Sequence, residues 1–371
     1  MIKIRVLVVD DSAVVRRLVS EALATDPTIE VAGTASNGRI ALARLGQLAP
    51  DVVTLDVEMP ELDGLATLVE IRKQWKTLPV IMFSAITERS AAATLEAIAR
   101  GANDYVTKPT SSEGIEDARR RVASELVPRV KAFARRQPAP APESPQGAPA
   151  PATQLVKAAP RVRPSVGRVP RAELLVIGVS TGGPNALAEL IPSLPENFPV
   201  PVLIVQHMPP VFTRLLADRL DKSSKLEVRE CQGGEKLQAG FVYIAKGDHH
   251  MTVHGTRLSA TLKLEQTPPE NSCRPAVDVL FRSAAGIFGA YTLSVVLTGM
   301  GQDGLNGCRV IRELGGQIIA QDQVTSVIWG MPGAIARAGL ADRILPLAGI
   351  GPELVNLTAA GTGALARWST P

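Results

Sequence analysis

Cysteine is scarce. The 371 residues include three, Cys231, Cys273 and Cys308, odd in number and far apart. They form neither a disulfide framework nor a paired metal-binding CxxC, which points to a reducing compartment, so a cytoplasmic location is expected. No apolar run approaches the roughly 18 residues that cross a bilayer, so direct membrane insertion is not expected. The apolar start, Met1 to Val9, runs straight into Asp10 and Asp11 and lacks the length and cleavage site of a secretory signal. Basic charge is thin outside one segment. Residues 128–171 carry nine Lys or Arg against the single acid Glu143, whereas residues 1–127 and 172–371 are each slightly acidic, and the whole chain is +4. Charge gathered in one stretch without a binding motif argues against a nucleic-acid partner. Apolar residues are plentiful at 45%. That is too many for a disordered chain and enough to build roughly two or three domains with their own cores.

The basic segment also sets the domain boundary. Residues 137–151 alternate Pro and Ala around Glu143, Ser144, Gln146 and Gly147. Such a stretch builds no core and favours an extended chain. Two folded units, 1–127 and 172–371, are therefore expected on a flexible, basic, Pro/Ala-rich linker, 128–171. A solvated tether accounts for its charge, and an acidic partner is the alternative.

In the first unit, apolar runs alternate with helical stretches. Strands are expected at 4–9, 29–36, 51–55, 79–83 and 104–106, with helices between them, which implies right-handed crossovers and a doubly wound parallel sheet. Ligands of such sheets sit at the carboxyl ends of the strands. Asp10, Asp11, Asp56, Ser84 and Lys108 all fall there. Crowded carboxylates repel unless a cation neutralises them, and hard oxygen donors suit Mg²⁺. A carboxylate, a hydroxyl and a lysine can steady a phosphoryl group passing onto one carboxylate. Each Asp taken singly fits a helix cap equally well; five such residues at matching strand ends favour a site.

These residues stand in Val8-Val9-Asp10-Asp11-Ser12, Thr54-Leu55-Asp56-Val57-Glu58-Met59-Pro60, Asp63-Gly64, Ser84-Ala85 and Lys108-Pro109. Over residues 3–125 the sequence resembles the receiver domains of two-component response regulators, of flavodoxin-like fold. The resemblance implies Asp56 as phosphoacceptor. Asp11 and Asp56 would be Mg²⁺ ligands, with Asp10 acting through water and the Glu58 carbonyl completing the set. It also implies Ser84 and Lys108 as phosphoryl-binding residues, Tyr105 as an aromatic switch, and a histidine kinase as phosphodonor.

In the second unit a buried-strand pattern, Glu173 to Val179, leads into Gly178-Val179-Ser180-Thr181-Gly182-Gly183-Pro184 and then a helical stretch. Gly-x-Ser-x-Gly at a strand-to-helix turn can lift a serine hydroxyl out of the sheet. A phosphate-binding glycine loop is the competing reading, although neither a P-loop lysine nor GxGxxG spacing is present. A nucleophilic serine needs a base. Of the four histidines, His207 follows the expected strand 200–205, while His249, His250 and His254 fall in a polar hairpin region and are expected to be solvated loop residues. Asp303 lies in the glycine-rich turn Thr298 to Gly304 after the expected strand 292–297, where it can orient His207 or cap the following helix. The order Ser180, His207, Asp303 departs from that of α/β-hydrolases, but triads are defined by geometry rather than chain order.

With Gln206-His207-Met208, the run Arg274 to Phe281, Leu297 to Gly304 and Trp329-Gly330-Met331-Pro332, the whole chain resembles the chemotaxis protein-glutamate methylesterase family, response regulators with an esterase output domain. The linker is longer and richer in proline than that resemblance leads one to expect. The resemblance implies a second, Rossmann-like doubly wound α/β domain with Ser180 as nucleophile, His207 as general base and acid, and Asp303 as orienter. It implies hydrolysis of glutamyl methyl esters on methyl-accepting chemoreceptors, deamidation of receptor glutamines, and no cofactor for the esterase. The turn around Met300 and Thr181 are the candidates for stabilising the oxyanion. Arg274 fits an acidic receptor surface or an internal salt bridge equally. Unphosphorylated, the receiver is expected to cover the Ser180 cleft. The alternative is a receiver-controlled nucleotide- or DNA-binding output module.

Overall fold

The structure, a computed structural model, describes residues 3–109, 114–134 and 170–359. The first unit runs β1 (Ile4–Val9), α1 (Ala13–Leu23), β2 (Ile29–Ala35), α2 (Gly38–Leu48), β3 (Val52–Asp56), α3 (Gly64–Gln74), β4 (Val80–Ser84), α4 (Glu88–Ala99), β5 (Asp104–Thr107) and α5 (Ile115–Ala134). Four of its helices start where a short polar side chain accepts a free first-turn amide: Ser12 from Val15, Asn37 from Ile40, Asp63 from Ala66 and Thr87 from Ser90. The strands between them are mostly apolar, β3, β4 and β5 buried along their whole length, and they pair in the order β2-β1-β3-β4-β5, all parallel. Both faces are covered, as such a sheet requires, and the topological switch lies between β1 and β3. It therefore falls between Asp10 and Asp56.

The boundary expected at residue 127 falls inside α5, which continues through Pro128 to Ala134. A proline there removes one helical hydrogen bond and crowds the preceding turn. The compensation is a buried stripe, Val122, Leu126, Val130 and Phe133, that crosses the proline at helical spacing and packs on Val6, Val8 and Phe83. Two of the basic residues assigned to the linker are ion-paired to this unit: Arg129 with Asp104 and Lys131 with Asp26, both at 2.8 Å. Of the rest of the expected linker, residues 135–169 lie outside the described residues, as do 360–371.

The second unit runs β6 (Leu174–Val179), α6 (Gly183–Leu190), β7 (Val202–Gln206), α7 (Phe212–Ser223), β8 (Glu227–Glu230), β9 (Phe241–Ile244), β10 (His250–His254), β11 (Thr261–Glu265), α8 (Val277–Phe288), β12 (Thr292–Val296), α9 (Leu305–Glu313), β13 (Gln317–Gln321), α10 (Met331–Arg337), β14 (Arg343–Leu345) and α11 (Leu347–Thr358). Its parallel sheet has the order β14-β13-β12-β6-β7-β9-β8, with β10 and β11 forming a separate antiparallel hairpin. From β6 the chain builds outward through β7, then returns to build the other half from β12. The switch point thus lies beside β6, where ligands of such sheets bind. Among the described residues, no helix is long and apolar enough to cross a membrane.

The two units touch. Tyr105 of β5 stacks on Phe212 at the start of α7, with ring centroids 4.8 Å apart and planes 6° from parallel. Arg219 donates to the Leu95 carbonyl at 2.7 Å, and Arg214 pairs with Glu88 at 2.8 Å. Through α4, α6 and α7 one apolar cluster spans both units, with Leu95 and Ile98 on one side and Leu187, Phe212 and Leu216 on the other.

Phe133→Ala is expected to destabilise the first unit by about 3–5 kcal/mol, the usual cost of truncating a buried phenylalanine. The readout is an earlier first transition in urea. An unmoved transition would return residue 133 to a solvated tether.

Candidate active site

Two clusters sit at strand ends, one in each sheet. In the first unit, Lys108 Nζ lies 2.8 Å from both Asp10 Oδ2 and Asp56 Oδ2. Asp11 completes a trio of carboxylates whose oxygens all lie within 4.8 Å of one another. Asp10 and Asp56 are buried and Asp11 exposed. Burial raises both inner carboxyls, partly against the pull of Lys108. Asp56, which also feels the charge of Asp10, is pushed up to about 6. Burial alone would lower Lys108, but its two carboxylate partners outweigh that and raise it. Three carboxylates against one ammonium leave two negative charges uncompensated in a hard-oxygen pocket, and this donor set fits Mg²⁺.

Ser84, fully buried at the end of β4, is turned toward α4. It accepts from Thr94 Oγ1 at 2.7 Å and donates to the Ala85 and Ser90 carbonyls at 3.2 and 3.3 Å. The Glu58 carboxylate accepts from Ser90 Oγ at 2.7 Å. The residues just after β3 and β4 are therefore both tied to α4.

In the second unit, Ser180 follows β6, His207 follows β7, and Asp303 lies in the turn between β12 and α9. His207 Nε2 and Asp303 Oδ2 are 2.8 Å apart. Asp303 accepts four further bonds, from Val277 N (2.6 Å), Asp278 N (3.0 Å), Gly304 N (3.0 Å) and Asn271 Nδ2 (2.8 Å). It therefore ties down the first turn of α8, and Gly304, not Asp303, is the cap of α9. Burial would raise its carboxyl, but these donors hold it below the ordinary value. Burial would lower His207, yet its bonds to Asp303 and Cys273 raise it above the usual histidine value.

Ser180 and His207 line one cavity of about 570 Å³, together with Thr181 and Cys273 and, from the first unit, Asp104, Tyr105 and Arg129. Among the described residues no hydrogen bond joins Ser180 to His207. The other ring nitrogen, Nδ1, faces Cys273 Sγ at 3.6 Å. The serine turn is held from below by the buried Gln206, whose amide donates to the Ser180 carbonyl at 3.0 Å. Gly182 takes φ 78° to start α6. Gly299 must be glycine because an added Cβ would lie 2.8 Å from Ser180 Cβ and 2.5 Å from Met331 Sδ. The backbone amides of Thr181 and Met300 have no acceptor among the described residues, and Thr181 lines the cavity.

Of the three remaining histidines, His250 and His254 lie in β10 rather than in a loop, and His249 stands in the turn before it. His250 is fully buried in β10, accepting from Ala276 N at 3.2 Å and facing the Pro268 carbonyl. His249 and His254 are half-buried, bonded to Gly247 O and Thr252 Oγ1. The hairpin closes against α8, so its inward positions are structural. Arg274 forms the internal salt bridge, gripping Asp248 at 2.6 and 2.9 Å. Asn271 and Cys273 escape a reading of the sequence, and Gln206 is read only as part of a motif, since nothing local marks their long-range partners.

A carboxylate–lysine pocket on one parallel sheet, coupled to a second sheet that gathers serine, histidine and aspartate, defines a response regulator with a hydrolase-type output domain. The receiver family, "Response regulator receiver domain", matches residues 6–120, and the family "CheB methylesterase" matches residues 175–354. The chain is 48% identical to the protein-glutamate methylesterase/protein-glutamine glutaminase of Trichodesmium erythraeum, over 96% of this chain and 99% of that one. It is 51% identical to the protein of the same name from a Nocardioides species, over 95% of each. The crystal structure of the Thermotoga maritima CheB methylesterase catalytic domain, 45% identical, covers 50% of this chain and 98% of its own, with a TM-score of 0.49. The chain belongs to the protein-glutamate methylesterase/protein-glutamine glutaminase family. A nucleotide- or DNA-binding output has no counterpart among these relatives.

Gly299→Ala is expected to push Ser180 out of place and slow its labelling by a serine-directed organophosphonate about 10²-fold, the usual consequence of a displacement near 1 Å. Labelling at the wild-type rate would show that the close approach is inconsequential.

Proposed function

We propose that this chain is a phosphorylation-regulated esterase that removes methyl groups from glutamyl methyl esters of chemoreceptors and deamidates receptor glutamines, with Ser180, His207 and Asp303 as its catalytic residues. The observation that carries the assignment is that His207, held by a 2.8 Å bond to the buried Asp303, lines the same cavity as Ser180. Ser180 Oγ attacks the ester carbonyl as His207 takes its proton through the nitrogen that Asp303 leaves free. His207 returns the proton to departing methanol, or to ammonia from a glutamine, and then activates the water that releases the glutamate. The Thr181 and Met300 amides are the candidate donors to the oxyanion. Asp303 does its part by stabilising the imidazolium, the reason His207 is raised. The mechanism requires the serine and imidazole to close to bonding distance when substrate binds, as catalytic contacts often do.

Regulation starts at Asp56, the proposed phosphoacceptor. Asp11 and Asp56, with the Glu58 carbonyl and Asp10 through water, would hold Mg²⁺, which when bound supplies the positive charge a phosphoryl group needs. Lys108 and Ser84 are the groups proposed to bind phosphoryl oxygens. For Ser84 to turn toward them, it must leave its bonds to α4. Because α4 packs on α7, and Tyr105 stacks on Phe212 at the wall of the active cavity, that change loosens the contact that narrows the cleft. A histidine kinase is the phosphodonor this scheme requires, and a cytoplasmic location suits both it and the receptor substrate.

Methanol release from methylated receptors tests the whole. Wild type is expected to be stimulated by a small-molecule phosphodonor, and the fragment 170–359 to be fast without one. Ser180→Ala is expected to be inactive under every condition. Activity in Ser180→Ala would end the nucleophile assignment, and equal rates for fragment and full chain would end the covering role of the receiver.

A second outcome follows from the charge of Asp303. Asp303→Asn removes the anion that favours imidazolium, so the pKa of His207 falls. The acid limb of kcat/KM, where protonated His207 cannot act as base, is expected to move to lower pH while kcat drops about 10³–10⁴-fold. An acid limb that stays put would show that His207 does not set it.

A further inference from the structure

Cys273 stands where a nucleophile would stand. Its Sγ is 3.6 Å from His207 Nδ1, while Asp303 holds Nε2 on the far side of the ring. Thiol, imidazole and carboxylate thus follow one another in the order used by cysteine nucleophiles.

The position of the thiol is built, not incidental. Glu270 and Cys273 pair across a two-residue turn, with Glu270 N donating to Cys273 O at 3.1 Å and Cys273 N to Glu270 O at 2.9 Å. The central residues, Asn271 and Ser272, both adopt left-handed conformations, φ 52° and 62°, as the tightest hairpin turns demand. Asn271 is anchored to Asp303 at 2.8 Å and Asp278 at 3.0 Å, and Glu270 is gripped by both terminal nitrogens of Arg282 at 2.6 Å. One carboxylate, Asp303, therefore positions both the imidazole and the turn that carries the thiol.

The other two cysteines differ. Cys231 and Cys308 are buried away from the cavity, and burial pushes both thiols up, which makes them inert. Cys273 is partly exposed and lines the cavity.

We propose that Cys273 is a reactive thiol served by the His207–Asp303 pair, a modification site for peroxides whose oxidation switches the hydrolase off. The thiol gives its proton to His207 Nδ1, and the thiolate sulfur attacks one oxygen of hydrogen peroxide. The S–O bond forms as the O–O bond breaks, and the departing hydroxide takes the imidazolium proton and leaves as water. Sulfur loses two electrons and the peroxide gains them. The sulfenic acid lies against the ring nitrogen Ser180 requires, and a thiol reductant reverses the change. The switch rests on the proposed esterase mechanism, whereas the reactivity of the thiol does not.

The test uses the full chain with iodoacetamide and hydrogen peroxide. At pH 7, iodoacetamide is expected to label Cys273 at least about tenfold faster than it labels glutathione, with Cys231 and Cys308 unlabelled until the protein is denatured. His207→Gln is expected to lose that advantage, and Ser180→Ala to keep it, so the thiol is scored even if Ser180 is not the nucleophile. Peroxide is expected to abolish methanol release in step with sulfenic acid trapped at Cys273, dithiothreitol to restore it, and Cys273→Ala to retain whatever rate it starts with. Labelling no faster than glutathione overturns the reactive thiol. Wild type and Cys273→Ala losing activity to peroxide at equal rates overturns the switch.

Discussion

The catalytic half of this protein hangs on one buried carboxylate. Asp303 is 3% exposed, and five donors from four separate stretches of chain converge on it: His207, Asn271, the amides of Val277 and Asp278, and Gly304. A charge taken out of water is costly unless its lone pairs are met, and here they are met so fully that the carboxyl is held below its ordinary value. The bonds that stabilise the charge also fasten the start of α8, the start of α9, the turn at 270–273 and the imidazole to one point. Removing it would unfasten an arrangement, not merely lose one contact. The orientation of the base is therefore inseparable from the local fold.

Most of the strand-end logic was legible in the sequence. Apolar runs ending in Asp10, Asp56, Ser84, Ser180 or His207 announce parallel strands, and parallel strands bring their carboxyl ends to one edge. Local spacing carried less where tertiary packing decided the outcome. The basic charge of 128–171 and the Pro/Ala alternation from 137 put the start of the linker at 128, inside a helix that runs on through Pro128. The stripe Val122, Leu126, Val130 and Phe133 keeps the helix going to Ala134 because the burial of Val130 and Phe133 outweighs one lost hydrogen bond. That stripe was readable at helical spacing and was masked by the Pro/Ala repeat beginning a few residues later. His250 sat among polar neighbours, yet the hairpin folds it under Ala276. Cys273 and Asn271 offered no local signal at all. Their partners lie 66 and 32 residues away in the chain, and only the closed fold makes them neighbours.

The two sheets solve related problems by the same construction. Each places its reactive groups where the strand order reverses, so that loops from either side converge without crossing. They differ in what compensates charge. In the receiver, two carboxylates share one lysine and a third, Asp11, stands beside them, so the cluster stays short of positive charge and fits a cation. In the esterase unit, a single carboxylate is over-supplied with donors and stays rigid. The receiver cluster is thus arranged to respond, and the triad to hold still.

The contact between the units joins these two behaviours. Ser84 and Glu58 are hydrogen-bonded to α4 through Thr94 and Ser90, and α4 rests on α7, whose first residue Phe212 meets Tyr105. His207 lies only five residues before Phe212, so the wall of the cavity and the face of the interface belong to one short stretch of chain. In the proposed scheme, a phosphoryl group drawing Ser84 away from α4 would act on that stretch without touching Asp303. The chemistry can remain preorganised while access to it changes. On that scheme the machinery would need no rebuilding at each cycle of phosphorylation: the switch would move a cover, and the carboxylate would keep the proposed base in place beneath it.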